Sequence, residues 1–147
     1  MNDPRFKFRP SLNAVTALLD GASLPSSDLD DALLEHFIAA WSGDELVGVV
    51  GVEPFGGDGL LRSLAIRDSA RGAGLGRALV SAAENHAASL GIASLHLLTN
   101  TAAPYFLRLG YRDCPRTSAA ESIRNSNEFS SLCPDNAAFM CKRFRVA

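Results

Sequence analysis

The order of the predicted elements indicates a mixed α/β fold with helices packed on a sheet. An apolar hairpin pattern over residues 37–53 is followed by a third apolar run over residues 60–66, which is typical of an antiparallel meander. Helical and strand patterns then alternate along the rest of the chain. A meander followed by such alternation predicts a mixed α/β architecture. The 147 residues, of which 47% are hydrophobic, suit a single domain over residues 1–147.

The first part of the chain predicts an edge strand and two helices. Residues 5–9 are typical of a short edge strand, and Ser11 is a candidate N-cap for a helix that ends at Gly21. The apolar face of that helix consists of Val15, Leu18 and Leu19. A second helix is expected after residues 26–28, where Ser-Ser-Asp resembles a capping sequence.

Two apolar runs joined by a polar turn predict the start of the sheet. Residues 37–41 and 45–53 flank the turn sequence Ser42-Gly43-Asp44. The second run is apolar at nearly every position from 46 to 52, so we expect that strand to be covered on both faces. The remaining elements are predicted as a strand over 60–66, a helix over 77–90, a strand over 94–98, a helix over 101–109, a strand near 110–112, a helix over 119–127 and a strand over 137–144.

The most informative motif is the glycine-rich loop between the third strand and the long helix. It reads Arg71-Gly72-Ala73-Gly74-Leu75-Gly76. A strand, a glycine turn and a helix together present free backbone N–H groups and the positive end of a helix dipole to an anion. Glycine also lets the backbone approach a phosphate closely. The loop therefore predicts a ligand that carries a phosphate or a diphosphate.

Three ligand loops and a plain turn compete for this motif. The dinucleotide fingerprint needs G-x-G-x-x-G with an acidic residue after the next strand, and the nucleotide triphosphate loop needs a following Lys-Ser or Lys-Thr. Neither pattern is met here. A glycine-rich turn that binds nothing is the alternative without a ligand. The third ligand pattern, R-x-x-G-x-G, is met by Arg71, Gly74 and Gly76.

This third pattern, preceded by Leu64-Ala65-Ile66, resembles the acetyl-CoA loop of the GNAT N-acetyltransferases. Residues 99–111 are similar to that family's segment N-x-x-A-x-x-[FL]-Y-x-x-x-G-[FY]. Together the two segments and the elements between them cover roughly residues 37–111. The resemblance implies a mostly antiparallel central sheet with helices on both faces. It also implies acetyl transfer from acetyl-CoA to a primary amine, without a metal.

The resemblance also implies which residues hold acetyl-CoA. They are Leu64, Ala65, Ile66, Arg71, Gly72, Ala73, Gly74, Leu75, Gly76, Arg77, Thr99 and Phe106. Two of these depart from the family pattern, since Thr99 stands at the asparagine position and Phe106 at the position of the tyrosine acid. Tyr105 precedes Phe106 and would point about 100° away from it on a regular helix. Tyr105 is a candidate proton donor to the CoA thiolate, with a packing role as the alternative.

Two charged residues in apolar strands are the candidates for the acceptor side. Glu53 ends an apolar strand, where partial burial suits a general base, and a solvated strand-end carboxylate is the alternative. Arg62 is a charge inside an apolar strand, so it needs an anionic partner. That partner is either Glu53, in a structural ion pair, or an anionic group of the substrate. We expect Arg62, and Glu53 beside it, to contact the substrate.

Composition excludes several other classes. The net charge is −2 and no basic patch with interleaved aromatics is present, so we do not expect nucleic-acid binding. No apolar stretch approaches the roughly 18 residues of a membrane span, and residues 1–10 lack a signal-peptide core. Cys114, Cys133 and Cys141 lack metal-site spacing and nothing requires them to converge. We therefore expect a reduced, cytoplasmic location.

A narrower resemblance concerns the acceptor. Residues 51–54, 60–65 and 121–134 are similar to arsenic-resistance N-acetyltransferases, which implies a small, anionic amino-acid-like amine that contains arsenic or phosphorus. A homodimer is plausible for the family. Two other functions stay open, namely a non-catalytic acyl-CoA sensor, favoured by Phe106, and a protein N-acetyltransferase. Arsenic binding by Cys133 is a further alternative.

Overall fold

A computed structural model of the protein describes residues 5–116, 119, 121–126, 129 and 137–144. None of the helices in these ranges is long and apolar enough to cross a membrane. The elements are, in chain order, β1 (Arg5–Phe8), α1 (Leu12–Gly21), α2 (Asp31–Leu34), β2 (Phe37–Ser42), β3 (Glu45–Phe55), β4 (Asp58–Ile66), α3 (Leu75–Ser89), β5 (Ser94–Thr99), α4 (Ala103–Arg108), β6 (Arg112–Asp113), α5 (Glu121–Arg124) and β7 (Ala138–Arg143).

The strands in the described ranges form one seven-stranded sheet in the order β1-β2-β3-β4-β5-β7-β6. Each neighbouring pair in it is antiparallel except β4 and β5, which are parallel. One face of the sheet packs against α1, and the opposite face packs against α3. These findings confirm the predicted mixed α/β fold with a mostly antiparallel sheet and helices on both faces.

The burial of β3 explains why helices lie on both faces. Residues 46–52 are all buried, as the apolar run predicts. Val49 packs into the cluster around α1, whereas Val50 and Val52 pack into the cluster around α3. Full burial of a side chain of this size contributes about 1.5–3 kcal/mol, so both layers stabilise the same strand.

The connection between α1 and α2 differs from its prediction. The hydroxyl of Ser11 caps α1 as predicted, because it accepts from the Ala14 N–H at 3.3 Å. The predicted cap of the second helix at residues 26–28 is wrong, since α2 begins at Asp31 and its N-cap is Asp30, whose carboxylate accepts from the Leu33 N–H at 2.8 Å. Asp28 is therefore left for another contact, which lies in β4.

Cys114 and Cys141 form a disulfide, which the sequence analysis did not expect. The two residues are separated by 27 positions, and the antiparallel pairing of β6 with β7 brings them together. The Cys114 N–H donates to the Phe139 carbonyl at 2.9 Å, which continues that pairing by one step. Spacing alone carries no sign of such pairing. Cys133 lies outside the described residues.

A histidine pair joins α3 to the start of β2. Nδ1 of His36 lies 2.9 Å from Nε2 of His86, and the ring of Phe8 packs on His86 with centroids 4.7 Å apart. Burial lowers the pKa of His86 below its usual 6.5, and the neighbouring His36 lowers it further. The pair therefore favours neutral His86 in the folded protein.

Candidate active site

The ladder pairing between β4 and β5 ends early, which makes the space between them a candidate cleft. Their parallel pairing covers only Asp58 with Ser94, Gly59 with Leu95 and Leu60 with His96. β4 nevertheless continues to Ile66 and β5 to Thr99. Beyond Leu60 the pairing partner of β4 is β3, and that of β5 is β7. The facing edges of the two strands are therefore not paired with each other beyond Leu60, and residues 61–66 form one wall of the candidate cleft.

A β-bulge shapes this wall. Val49 lies opposite Ala65 and Gly51 opposite Arg62, so Ser63 and Leu64 together face Val50 alone. Ser63 has a φ of 61°, which is uncommon for a residue other than glycine. A bulge breaks the ladder locally and re-aims the backbone. Residues 64–66, the predicted donors, follow this bulge, with Leu64 and Ile66 partly exposed and Ala65 buried.

The glycine loop leads from the end of β4 to the start of α3. A short 3₁₀ turn (Asp68–Ala70) is followed by Gly72 and Gly74, with φ values of 86° and 78° that favour glycine. Gly74 is the N-cap of α3, and within the described residues no side chain caps the helix and no acidic residue stands in its first turn. Leu75 is buried and anchors the helix two residues earlier than predicted.

The loop therefore has the features of an anion site. Uncapped N–H groups at the start of a 15-residue helix attract negative charge. Arg71 and Arg77 are both exposed beside this start. The Arg71 Nε donates to the Ile66 carbonyl at 3.4 Å and lies 3.2 Å from an Asp68 carboxylate oxygen, which holds the side chain over the loop.

Tyr105 lies at the same helix start. A Cβ added to Gly76 would lie 2.5 Å from the Tyr105 hydroxyl oxygen, so the hydroxyl covers this glycine closely. Burial raises the pKa of Tyr105, and the positive charges of Arg77 and Arg108 oppose that rise. The hydroxyl is consequently protonated at neutral pH and lies at the start of α3.

The positions of Phe106 and Thr99 also follow from their packing. Phe106 is buried in the core, with its ring edge-on to those of Tyr105 and Tyr111 at centroid distances of 5.4 and 5.7 Å. It carries no hydroxyl, so this position supplies no acid. The Thr99 hydroxyl accepts from the Ala102 N–H at 3.0 Å and so stabilises the entry to α4.

Arg62 is the centre of an ion-pair cluster with Asp28 and Glu53. Its Nη1 and Nη2 donate to the two carboxylate oxygens of Asp28 at 2.6 and 2.7 Å. Its Nη1 also donates to Glu53 at 3.2 Å, and its Nε donates to the Ser63 hydroxyl at 3.2 Å. The side chains of Arg62, Asp28 and Glu53 are 0%, 7% and 20% exposed.

Among the described residues, Arg62 contacts Glu53, as one of the two alternatives predicts, and also Asp28, which the sequence did not indicate. Its contact with a substrate stays a prediction. Asp28 is 34 residues away, in a Ser-Ser-Asp run that equally fits a helix cap, so no local signal marks it. Within the described ranges, no three His, Cys, Asp or Glu side chains converge to hold a metal ion.

The family follows from comparison with known proteins. A family model described as an acetyltransferase (GNAT) domain matches residues 34–113, more than half of the chain. The chain belongs to this GNAT acetyltransferase family, which confirms the predicted family.

Solved structures share the fold. N-acetylglutamate synthase from Neisseria gonorrhoeae, complexed with coenzyme A and N-acetyl-glutamate, has 17% sequence identity and a TM-score of 0.84. The match covers 99% of this chain and 36% of the synthase chain. Rv2747 from Mycobacterium tuberculosis, in complex with CoA, is 19% identical with a TM-score of 0.76, over 97% and 100%. A Bacillus subtilis acetyltransferase in complex with CoA is 24% identical with a TM-score of 0.68, over 97% and 99%. The chain spans about a third of the synthase's length.

Proposed function

We propose that this chain transfers the acetyl group of acetyl-CoA to the primary amine of a small amino-acid-like molecule. One observation carries the proposal, namely that β4 and β5 lose their pairing beyond Leu60 and that β4 then leads to the uncapped glycine start of α3. An extended ligand with a diphosphate at one end and an acyl thioester at the other fits that combination. The N-acetylglutamate synthase and the Bacillus subtilis acetyltransferase, both complexed with CoA, have the same fold, which supports the same choice.

The residues at the cleft suit the two ends of acetyl-CoA. The N–H groups of residues 72–76, together with Arg71 and Arg77, would bind the diphosphate through charge-assisted hydrogen bonds. The backbone of residues 64–66 would line the pantetheine arm, and one N–H there would bind the thioester oxygen as charge develops on it. Bound acetyl-CoA supplies the activated acetyl group. The chain supplies position and exclusion of water, which account for much of the rate in such transfers.

Glu53 is the proposed base on the acceptor side. It is the most exposed member of the ion-pair cluster, with a side chain that is 20% exposed. An amine must lose a proton before it attacks, and Glu53 would accept that proton directly or through one water. Phe106 offers no proton for the leaving thiolate, and Tyr105 as the donor stays a prediction.

The acceptor is proposed to be anionic, with arsenic- or phosphorus-containing amino acids as the first candidates. The support is the sequence resemblance of residues 51–54 and 60–65 to arsenic-resistance enzymes, together with the synthase structure, which is complexed with N-acetyl-glutamate. Since Arg62 is engaged by two carboxylates, its direct contact with the acceptor needs a rearrangement of that cluster. The homodimer and the cytoplasmic location stay predictions. The Cys114–Cys141 disulfide is unusual for the reduced compartment that the sequence predicts, because disulfides are rare there.

A non-catalytic acyl-CoA sensor is the second candidate. Phe106 favours it, because the residue that the family uses as its acid is replaced by a buried ring. Such a protein would keep the cofactor side of the site and lose the chemistry. Binding without turnover is its signature.

Thiol release from acetyl-CoA with a panel of amines tests the proposal. The panel contains phosphinothricin- and arsinothricin-like amino acids, glutamate, other common amino acids, polyamines and a lysine peptide. We expect turnover with small anionic amino acids and none with the peptide. If calorimetry shows acetyl-CoA binding but no amine is turned over, the sensor function replaces the enzyme function. If only the peptide is turned over, the acceptor is a protein and not a small molecule.

A further inference from the structure

We propose that Asp28 is a positioning residue for acetyl transfer, which fixes the place of Glu53 through Arg62. The inference rests on the proposed function, because it concerns the acceptor side of the same site. Asp28 lies in the connection between α1 and α2, whereas Glu53 and Arg62 lie in β3 and β4. The connection thereby becomes part of the acceptor side of the site.

The contacts of Arg62 are unequal, and this inequality assigns the roles. Asp28 receives two hydrogen bonds from it, at 2.6 and 2.7 Å, and Glu53 receives one at 3.2 Å. A two-bond carboxylate–guanidinium contact fixes the plane of the guanidinium as well as its distance. Since the Nη1 that donates to Glu53 also donates to Asp28, the plane set by Asp28 determines where Glu53 is held.

A further hydrogen bond of Arg62 also fixes its guanidinium. Its Nε donates to the hydroxyl of Ser63, the residue at the β-bulge, so the guanidinium is held from the strand side as well. The Arg62 and Asp28 side chains are 0% and 7% exposed, whereas that of Glu53 is 20% exposed. Glu53 is thus the cluster member most exposed to solvent, whereas Asp28 is the buried carboxylate that fixes the Arg62 guanidinium.

Loss of the Asp28 charge would change the position of Glu53. A buried guanidinium needs a carboxylate, so without Asp28 it would turn to Glu53 and take both of its oxygens. Glu53 would then be drawn toward Arg62 and away from the amine. Two other roles are possible for Asp28, either as a structural staple for the connection or as a carboxylate that competes with an anionic acceptor for Arg62.

A double-mutant cycle separates these roles. The enzymes are the wild type, Asp28→Asn, Glu53→Gln and the double variant, each measured for kcat, for both KM values and for its melting temperature with the best amine of the panel. Asp20→Asn is the matched control, because Asp20, in the last turn of α1, accepts from Ser26 of the same connection at 2.7 Å and lies outside the cluster. It tests the loss of a carboxylate that holds the connection but does not contact Arg62.

We expect Asp28→Asn to lower kcat by about 100-fold with KM for acetyl-CoA unchanged, since small displacements of a reacting group are that costly. In the Glu53→Gln background the same change should lower kcat by less than about twofold, because the residue through which Asp28 acts is gone. Asp20→Asn should keep the wild-type kcat.

Three results would overturn the assignment. The first is an equal fall in kcat in both backgrounds, which identifies a structural staple. The second is a folded Asp28→Asn enzyme with wild-type kcat, and the third is a lower KM for the anionic amine at unchanged kcat, which identifies a competitor. If Asp28→Asn does not fold, Asp28→Glu, which keeps the charge, takes its place in the cycle. Its effect on kcat is then compared between the wild-type and the Glu53→Gln backgrounds. If the wild type shows no turnover, the proposed function itself is wrong. If the effects of Asp28→Asn and Glu53→Gln on kcat are additive, only the role of Asp28 is wrong.

Discussion

The two ends of the candidate site are built from different parts of the chain. The proposed cofactor end is made of backbone, namely the glycine loop, the uncapped start of α3 and the bulged edge of β4. The proposed acceptor end is made of side chains that meet from three parts of the chain, Asp28, Glu53 and Arg62. A backbone site is sensitive to an added Cβ, and a side-chain site to a lost charge. Substitutions at the first end should therefore change KM for acetyl-CoA, and those at the second should change kcat.

The largest expected effect is that of Glu53→Gln. It removes the proposed base and should lower kcat by about 100-fold or more, while KM for acetyl-CoA stays within about twofold. Steady-state kinetics over pH 6–9 with a saturating amine measures both. Wild-type turnover in this variant would remove Glu53 from the mechanism and leave the acceptor end without a base.

Gly74→Ala tests the backbone end. Among the described residues, apart from its neighbours along the chain, none lies within 4 Å of a Cβ added there, so the methyl group would extend into open space where we propose that the diphosphate binds, with strain from the φ of 78°. We expect KM for acetyl-CoA to rise about tenfold, which corresponds to about 1.4 kcal/mol, with kcat unchanged.

Gly56→Ala is the control for Gly74→Ala, because Gly56 has a φ of 68°, equally open surroundings and a place in the β3–β4 turn. It carries the same kind of strain away from the loop. Equal KM values for the two variants would show that strain, and not cofactor approach, is responsible.

Tyr105→Phe tests whether Tyr105 contributes to acetyl-CoA binding or to proton transfer. Its hydroxyl lies over Gly76 at the start of α3, so we expect loss of a hydrogen bond to a phosphate and a rise of about tenfold in KM for acetyl-CoA. A fall in kcat at saturating acetyl-CoA would instead identify it as the proton donor to the thiolate. Tyr111→Phe is the control, since its hydroxyl donates to Glu84 at 3.0 Å within the core and its loss should change stability alone.

The smallest effect is expected outside both ends, at the histidine pair. Because the folded pKa of His86 lies below its usual 6.5, the folded state binds fewer protons than the unfolded state between these two values. Stability should fall as pH decreases through 6.5 and approaches the lowered pKa. Melting curves between pH 5 and 8 should show this slope, and His86→Gln should reduce it. An unchanged slope would exclude His86 as its source.

The same difference between the two ends explains what the sequence predicts. The cofactor loop is a run of consecutive residues, and its glycines are needed for backbone reasons, so Gly72 and Gly74 are visible as a pattern. The meander and α3 were also predictable, because periodicity marks buried faces. Asp28 was assigned to a helix cap, since its contact with Arg62 depends on how the connection folds over β4. The Cys114–Cys141 disulfide was missed for the same reason, as it depends on the pairing of β6 with β7.

Mass spectrometry of the amine after incubation with isotope-labelled acetyl-CoA tests the central claim most directly. The wild type and Glu53→Gln are compared after calorimetry has established that both bind acetyl-CoA. We predict a labelled acetyl group on a small amino-acid amine with the wild type and at least about 100-fold less with the variant. Binding by both proteins with no labelled amine from either would contradict the account and identify a protein that binds acetyl-CoA without transferring its acetyl group.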